Sequence, residues 1–443
     1  MKRIASIDII RALTMLTMLW VNDYAGMSGL PHWMHHAGMQ EDMLGFSDLV
    51  FPAFLFCVGL SIPFAVEARY RKGDLPLQVI GHILGRTLAL LVMGVFAMNY
   101  RPVEGGLSRP VFILMAIAGF FLVWNAYPRR QDGRHPVWIT VLRLLGVVLL
   151  AGLVVYKDVH GMPFRTGWWG ILGLIGWAYL PCALAFVFLK GDFKKLTGFW
   201  LLTLILCILN AVPAIPREWS IRWLILGFYP GGWTHPAICA SGLFTSLLLM
   251  RYGEEQSFRR QPKLTVAQSS SAGSLPESAE SQPVSAGNLP ESAESHPVSA
   301  GNLTKTDGRR IRPLVVIYAV LALAMFVLGL LSHRIWIISK IQATPTWMFF
   351  CVAISVACFC IIWWIADVCG KTRWARPVSP AGTATLTCYT IPTIWYAVQQ
   401  LLGAQWPAAL TAGFPGLLKA LAFSFAIIGL TWCFTKLHLK LKV

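Results

Sequence analysis

Charge is what this sequence has least of. Only 13% of its 443 residues are Asp, Glu, Lys or Arg, and the acids number 20 against 37 cations. With 56% hydrophobic residues and a mean hydropathy of +0.60, that scarcity excludes an ordinary soluble globular chain. Cysteine is thinly spread: ten residues, mostly within apolar runs (Cys57, Cys182, Cys207, Cys351, Cys358, Cys360), with no CxxC and no zinc-ligand spacing. Disulfides and a bound metal are therefore not expected. A cleavable leader is not expected either, because Asp8 and Arg11 interrupt the first apolar run and no small-residue cleavage site follows it.

What the chain has in abundance is long apolar runs. A membrane span needs roughly 20 mostly apolar residues whose backbone polar groups are satisfied within the helix. About twelve such runs are legible, near 5–22, 45–66, 78–99, 109–126, 136–156, 168–189, 196–213, 234–251, 312–331, 346–367, 381–402 and 413–435. The expected fold is all-α: a polytopic transmembrane helix bundle of about eleven or twelve spanning helices.

The formal net charge of +17 could point to nucleic acid, but the cations are placed topologically. Most fall in alternate loops, among them Lys2 and Arg3; Arg69, Arg71 and Lys72; Arg129, Arg130 and Arg134; Lys190, Lys194 and Lys195; Arg251, Arg259, Arg260 and Lys263; Lys305, Arg309, Arg310 and Arg312; Lys371, Arg373 and Arg376; and Lys436, Lys440 and Lys442. The positive-inside rule makes that side cytoplasmic, with both termini inside, and no nucleic-acid partner is needed.

Residues 253–311 break the apolar pattern. The text SAGSLPESAESQPV at 271–284 recurs as SAGNLPESAESHPV at 285–298 and begins again at Ser299. Such Ser/Pro/Glu-rich text cannot bury a core and reads as a disordered cytoplasmic loop. It divides the chain into a first transmembrane half, 1–252, and a second, 312–443.

The richest stretch chemically runs from Asn22 to Gly59. Two apolar runs flank a loop carrying His32, His35 and His36 with acids and no Lys or Arg. Histidine takes and gives protons near neutral pH, so this cluster is a candidate acid–base centre at a membrane face; its competing reading is a polar interfacial loop. Asp48 stands at the start of the second run, where a carboxylate can cap free N–H groups. Asp8 and Arg11, three residues apart, can pair on one helix face. Pro52 is expected to bend the second helix or open its backbone.

These pieces resemble the amino-terminal core of the heparan-alpha-glucosaminide N-acetyltransferase family and its bacterial relatives. The matching text is Ser6-Ile7-Asp8-Ile9-Ile10-Arg11, Val21-Asn22, His36-Ala37, and Asp48-Leu49-Val50-Phe51-Pro52 followed by Phe56 and Gly59. Ala12 stands where the family commonly has Gly, Gly38-Met39 replaces its Trp after His-Ala, and His36 to Asp48 is about two residues longer than the family spacing. The resemblance implies a membrane acyltransferase in a bacterial inner (cytoplasmic) membrane, with acetyl-CoA as cytoplasmic co-substrate and no metal. It implies catalytic roles for His36, Asn22 and Asp48. His32 and His35 stay open as alternatives to His36, and base catalysis and acylation of the imidazole stay open as routes.

Beyond the core, Arg86 is read either as a second contact, after Arg11, for the donor's phosphates or as a snorkelling anchor. Lys340 either orients an acidic sugar or sits in the interface, and His235 beside Trp233 is a second outer-face candidate, more often an interfacial anchor. The expected partners are the lipid bilayer and a glycan or amino-sugar acceptor, and a homodimer is compatible with these. The rival expectation is a transporter or flippase of a glycan precursor whose histidines couple proton movement to substrate.

Overall fold

The computed structural model describes residues 4–128, 136–212, 232–258 and 308–442, without the side chains of 253–258 and 308–312. The 14-residue repeat lies outside the described residues. Within them there are thirteen α-helices and no strand. They are α1 (Ala5–Tyr24), α2 (Phe46–Tyr70), α3 (Pro76–Met98), α4 (Arg109–Trp124), α5 (Val137–Val159), α6 (Gly170–Phe188) and α7 (Phe193–Ala211). The second part comprises α8 (Thr234–Phe258), α9 (Gly308–Ser332), α10 (Pro345–Trp363), α11 (Ser379–Thr383), α12 (Thr385–Leu401) and α13 (Gly413–Lys436).

Every apolar run becomes a helix, and nine of the helices among the described residues are long and apolar enough to cross a membrane. The protein is a multi-pass membrane protein. One run differs from its expectation: 381–402 is split at Ala384 (φ −128°, ψ 47°) into short α11 and longer α12. A broken helix inside a bundle frees backbone carbonyls that need donors. At this break Gly382 O receives Arg11 Nε at 2.7 Å and Thr385 Oγ1 at 3.2 Å. Pro52, by contrast, lies within α2 without ending it.

Close helix crossings explain where glycine is used. A Cβ on Gly59 would lie 1.8 Å from Cys239 O, and one on Gly242 would lie 2.0 Å from Phe56 O, so α2 and α8 cross backbone to backbone. Small residues at such crossings supply the van der Waals contact that holds membrane helices together where lipid removes most of the hydrophobic drive. α1 packs against α2, α11 and α13. A carboxylate fixes its amino end: Asp367 accepts from Ala5 N and Ser6 N, both at 3.0 Å. The outer faces of α5 and α9 carry exposed Leu144, Leu145 and Val148, and Leu323, Leu330 and Leu331, as lipid contact requires.

The α2–α8 crossing is directly testable. Gly59→Leu should abolish or sharply reduce the detergent-stable, monodisperse protein, because backbone atoms cannot move aside as side chains do. Gly152→Leu, where nothing lies within 4 Å of the added Cβ, should leave it unchanged.

Candidate active site

Two polar features lie at opposite ends of α1. At the end where α2 begins, Asp48 is buried to 2% side-chain exposure, and a buried carboxylate must be compensated. Its Oδ1 lies 2.7 Å from His36 Nδ1 and 3.4 Å from Lys340 Nζ, and its Oδ2 accepts from Ala37 N at 2.9 Å. The backbone carbonyl of Asp48 accepts from Trp347 Nε1 at 3.3 Å. The expected capping role is therefore corrected: α2 has no side-chain cap, and Asp48 turns away from its own helix to meet a loop imidazole and a distant lysine. Three donors on a buried carboxylate outweigh one N–H at a helix start.

The contacts also fix the tautomer of His36. Lys340 Nζ lies 3.2 Å from His36 Nδ1, but that nitrogen cannot accept from the lysine while donating to Asp48. The 2.7 Å contact to a carboxylate has the better claim on the Nδ1 hydrogen, so lysine and imidazole share Oδ1 as donors. Nε2 then keeps its lone pair, and with 43% of the side chain exposed the ring is open to an incoming group. Burial pushes the Lys340 ammonium below its ordinary pKa, only partly offset by Asp48.

The loop carrying His36 is held from several sides. Tyr24 OH donates to Met34 O at 3.1 Å and lies 3.0 Å from Ser47 Oγ, tying the last turn of α1 to the histidine loop and to α2. A Cβ on Gly45 would lie 2.2 Å from His35 O and 3.1 Å from Asp48 Oδ2, so only glycine fits beneath the site. Asp42 accepts from His333 Nε2 and from Ile338 N, both at 2.8 Å, and Met39 O accepts from Ser339 Oγ and Gln342 Nε2. His32 pairs with Glu41 rather than with Asp48. His235 is buried between the rings of Phe51 and Trp347, not placed at an interface.

Asn22 is exposed on the last turn of α1, and its carboxamide makes no hydrogen bond among the described residues. The helix continues two residues beyond it, to Tyr24, and the C-cap is Ala25, so Asn22 does not cap. Its register is informative. Arg11, Met15 and Met18 line a cavity and share one face of α1, and Asn22, four residues after Met18, continues that face about 6 Å further along the axis.

That cavity, about 800 Å³, opens at the other end of α1. Its wall carries five cations, Arg11, Arg71, Arg86, Lys440 and Lys442, with Asp8 as the acid among the described lining residues. Asp8 and Arg11 pair at 2.6 Å, as their spacing predicts. Arg86 stacks over Tyr179 at 4.7 Å, its buried Nε has no hydrogen-bond partner, and no carboxylate pairs with it among the described residues. His82, four residues before it, instead approaches Arg69 at 3.1 Å. Ile4 and Lys440–Lys442 line the same cavity, so the two described chain ends meet at one end of the bundle. The tail is pinned there by Lys440 N to Asn125 Oδ1 at 2.8 Å and Leu441 N to Thr387 Oγ1 at 2.9 Å.

Comparison with known proteins agrees with the motifs. The chain resembles heparan-alpha-glucosaminide N-acetyltransferases. The mouse enzyme is 27% identical over 197 residues, covering 39% of this chain and 28% of its own length. The human enzyme is 31% identical over 106 residues, covering 24% of this chain and 15% of its own length. The match thus spans less than a third of either acetyltransferase. Residues 3–212 also match a family described only as a domain of unknown function, DUF5009.

Sequence reading missed the partners of Asp48 and His36 on the far side of the chain. Lys340 lies some three hundred residues from both, and nothing in the local pattern announces the pairing. The tail lysines in the cavity wall were likewise read only as topological charge.

The strap from Asp42 to the 333–344 loop makes a pH prediction. The Ile338 N–H, with the His333 pairing, holds the Asp42 carboxyl below its ordinary 3.8 against the raising effect of burial. A depressed carboxylate contributes stability fully above 3.8 and loses it as pH falls through the lower folded value. Hydrogen exchange over 31–45, corrected for its intrinsic pH dependence, should accordingly stay slow at pH 4 and above and quicken only below 3.8. Asp42→Asn should quicken it severalfold already at neutral pH, a modest effect because the pair is exposed.

Proposed function

We propose that the chain is a transmembrane acyltransferase that moves an acetyl group from cytoplasmic acetyl-CoA to a sugar amine or hydroxyl on the opposite face. The observation that carries this reading is the geometry of α1. One helix face runs from a cation-lined cavity at the end holding both described termini to Asn22 at the end tied to His36 and Asp48. The names of the two similar acetyltransferases support the same reaction class.

The cavity fits a polyanionic donor. An arginine with an unpartnered buried Nε and no paired carboxylate among the described residues, set in a membrane protein's interior, calls for an anion. Arg11 and Arg86 are the assigned donor contacts, and Arg71, Lys440 and Lys442 extend the positive wall; guanidinium forks suit phosphate geometry. Acetyl-CoA supplies the activated acyl group as a thioester. This face would be cytoplasmic because it carries the cation-rich loops.

At the other end, His36 Nε2 takes the proton from the acceptor amine or hydroxyl as its nitrogen or oxygen bonds to the acyl carbon, and the C–S bond breaks. That proton passes to the departing thiolate, so the products are the amide or ester and free CoA. Alternatively His36 is itself acylated first. Asp48 holds Nδ1–H and keeps the ring in the tautomer that presents Nε2, and Lys340 neutralises the Asp48 carboxylate without reaching the reacting atoms. Asn22, without a hydrogen-bond partner among the described residues, donates to the oxygen on which negative charge develops.

Membranes carrying the wild-type chain should release CoA from acetyl-CoA in the presence of amino sugars or polysaccharide fragments. His36→Ala should lower that release at least ~10²-fold at unchanged protein level. Asp48→Asn should lower it by a similar order while His32→Ala retains it. Arg86→Gln should weaken acetyl-CoA binding about tenfold, the scale of one charge-assisted hydrogen bond, with little change in the rate at saturating donor. Unchanged turnover in His36→Ala would move the chemistry elsewhere, and wild-type protein that binds no acetyl-CoA and releases no CoA would favour a transporter.

A further inference from the structure

A second buried charge cluster lies one residue beyond Asn22 and has no part in the roles assigned above. Asp23, with 3% of its side chain exposed, pairs with Lys419 of α13, 9% exposed, at 2.7 Å. Tyr396 OH of α12 donates to the other carboxylate oxygen. The Lys419 ammonium also lies 5.3 Å from the Trp406 ring centroid, and Trp20, on the same turn of α1, donates Nε1 to Leu417 O at 3.1 Å. Two helices and a loop thus converge on the last turn of α1. Charges so buried within spans are costly and are kept where they serve a site.

The geometry gives that convergence a consequence. Consecutive residues on a helix point about 100° apart, so anchoring two neighbours of a residue fixes its direction. Tyr24, tied to Met34 O and close to Ser47 Oγ, holds one side of the final turn, and Asp23 holds another against α12 and α13. Below the pair, Arg11, Met15 and Met18 face the cavity. Past Ala25 the chain turns at Gly26 (φ 86°), so no further helical turn steadies the end.

We propose that Asp23, Lys419 and Tyr396 form a rotational clamp on the end of α1 that keeps the Asn22 carboxamide in register with the cavity face, making Asp23 and Lys419 positioning residues for transfer. This rests on the role given to Asn22. None of the three touches the reacting groups; they act by setting where Asn22 points.

The test separates the clamp from the site it serves. A single variant leaves a buried charge alone and can fail to fold, so the informative variant is the doubly neutral Asp23→Asn/Lys419→Met. It should keep wild-type protein level and acetyl-CoA affinity but lose ten- to hundredfold in kcat, with the pH profile of the remaining rate unchanged and Lys419→Arg retaining most of it. A readout independent of turnover accompanies this. In intact cells, Asn22→Cys should react with a membrane-impermeant maleimide at a rate that the double variant changes severalfold over the parental background.

Wild-type kcat in the double variant, or an unchanged labelling rate, overturns the clamp. So does a loss of donor affinity parallel to kcat, which marks general disruption. If Asn22→Ala turns over normally, the role of Asn22 fails and the clamp fails with it. If no chain releases CoA, the acyltransferase reading fails, yet a severalfold labelling change still supports the clamp as a device that aims residue 22.

Discussion

A carboxylate taken out of water must be answered by donors, and the end of this bundle where α2 begins is arranged around one that is. Asp48 is nearly inaccessible, and its two oxygens gather an imidazole, an ammonium and a backbone amide from segments distant in sequence. Removing any of these would leave charge uncompensated where lipid and protein offer little solvation. The need to satisfy Asp48 is what brings the histidine loop over the start of α2 and draws the 333–344 loop onto both. The same need orients the imidazole, so the interaction that costs most to bury also decides which ring edge is left open.

The other end of the bundle answers the opposite problem. Cations crowd a cavity with one acid among its described lining residues, and two devices keep them tolerable: Arg11 is neutralised by Asp8 and engaged by the carbonyl freed at the α11–α12 break, while Arg86 lies over an aromatic ring. The break is thus more than an interruption of a span. It puts a backbone acceptor where a guanidinium needs one, and Gly382 lets that backbone approach α1 closely enough to do so, since an added Cβ would lie 2.6 Å from Asp8 O. The two polar sites are joined through α1, whose two ends are held by Asp367 and by Asp23.

Much of this was legible beforehand because a bilayer leaves few options: long apolar runs must be helices, and their limits fell within a few residues of the observed ones. Asp8 and Arg11 were legible because helical periodicity alone brings residues three apart together. The Ala384 break was not, since the surrounding run is as apolar as its neighbours and the cause lies in packing against α1. Asp48 was misread as a cap because a first-turn acid usually is one, and only tertiary donors could redirect it. The partners of Lys340, Lys419 and the tail lysines carry no local signal, as each lies hundreds of residues away.

The carboxyl-terminal segment of the chain has a practical corollary. Its last described residues do not trail from α13 but fold back, with Lys442 N on Trp124 O at 2.9 Å and Ala126 N on Lys440 O at 2.8 Å, and they line the cation-rich cavity. Anything appended to that end, a purification handle or a fluorescent partner, would begin at the doorway itself. Fusions for handling the protein belong elsewhere.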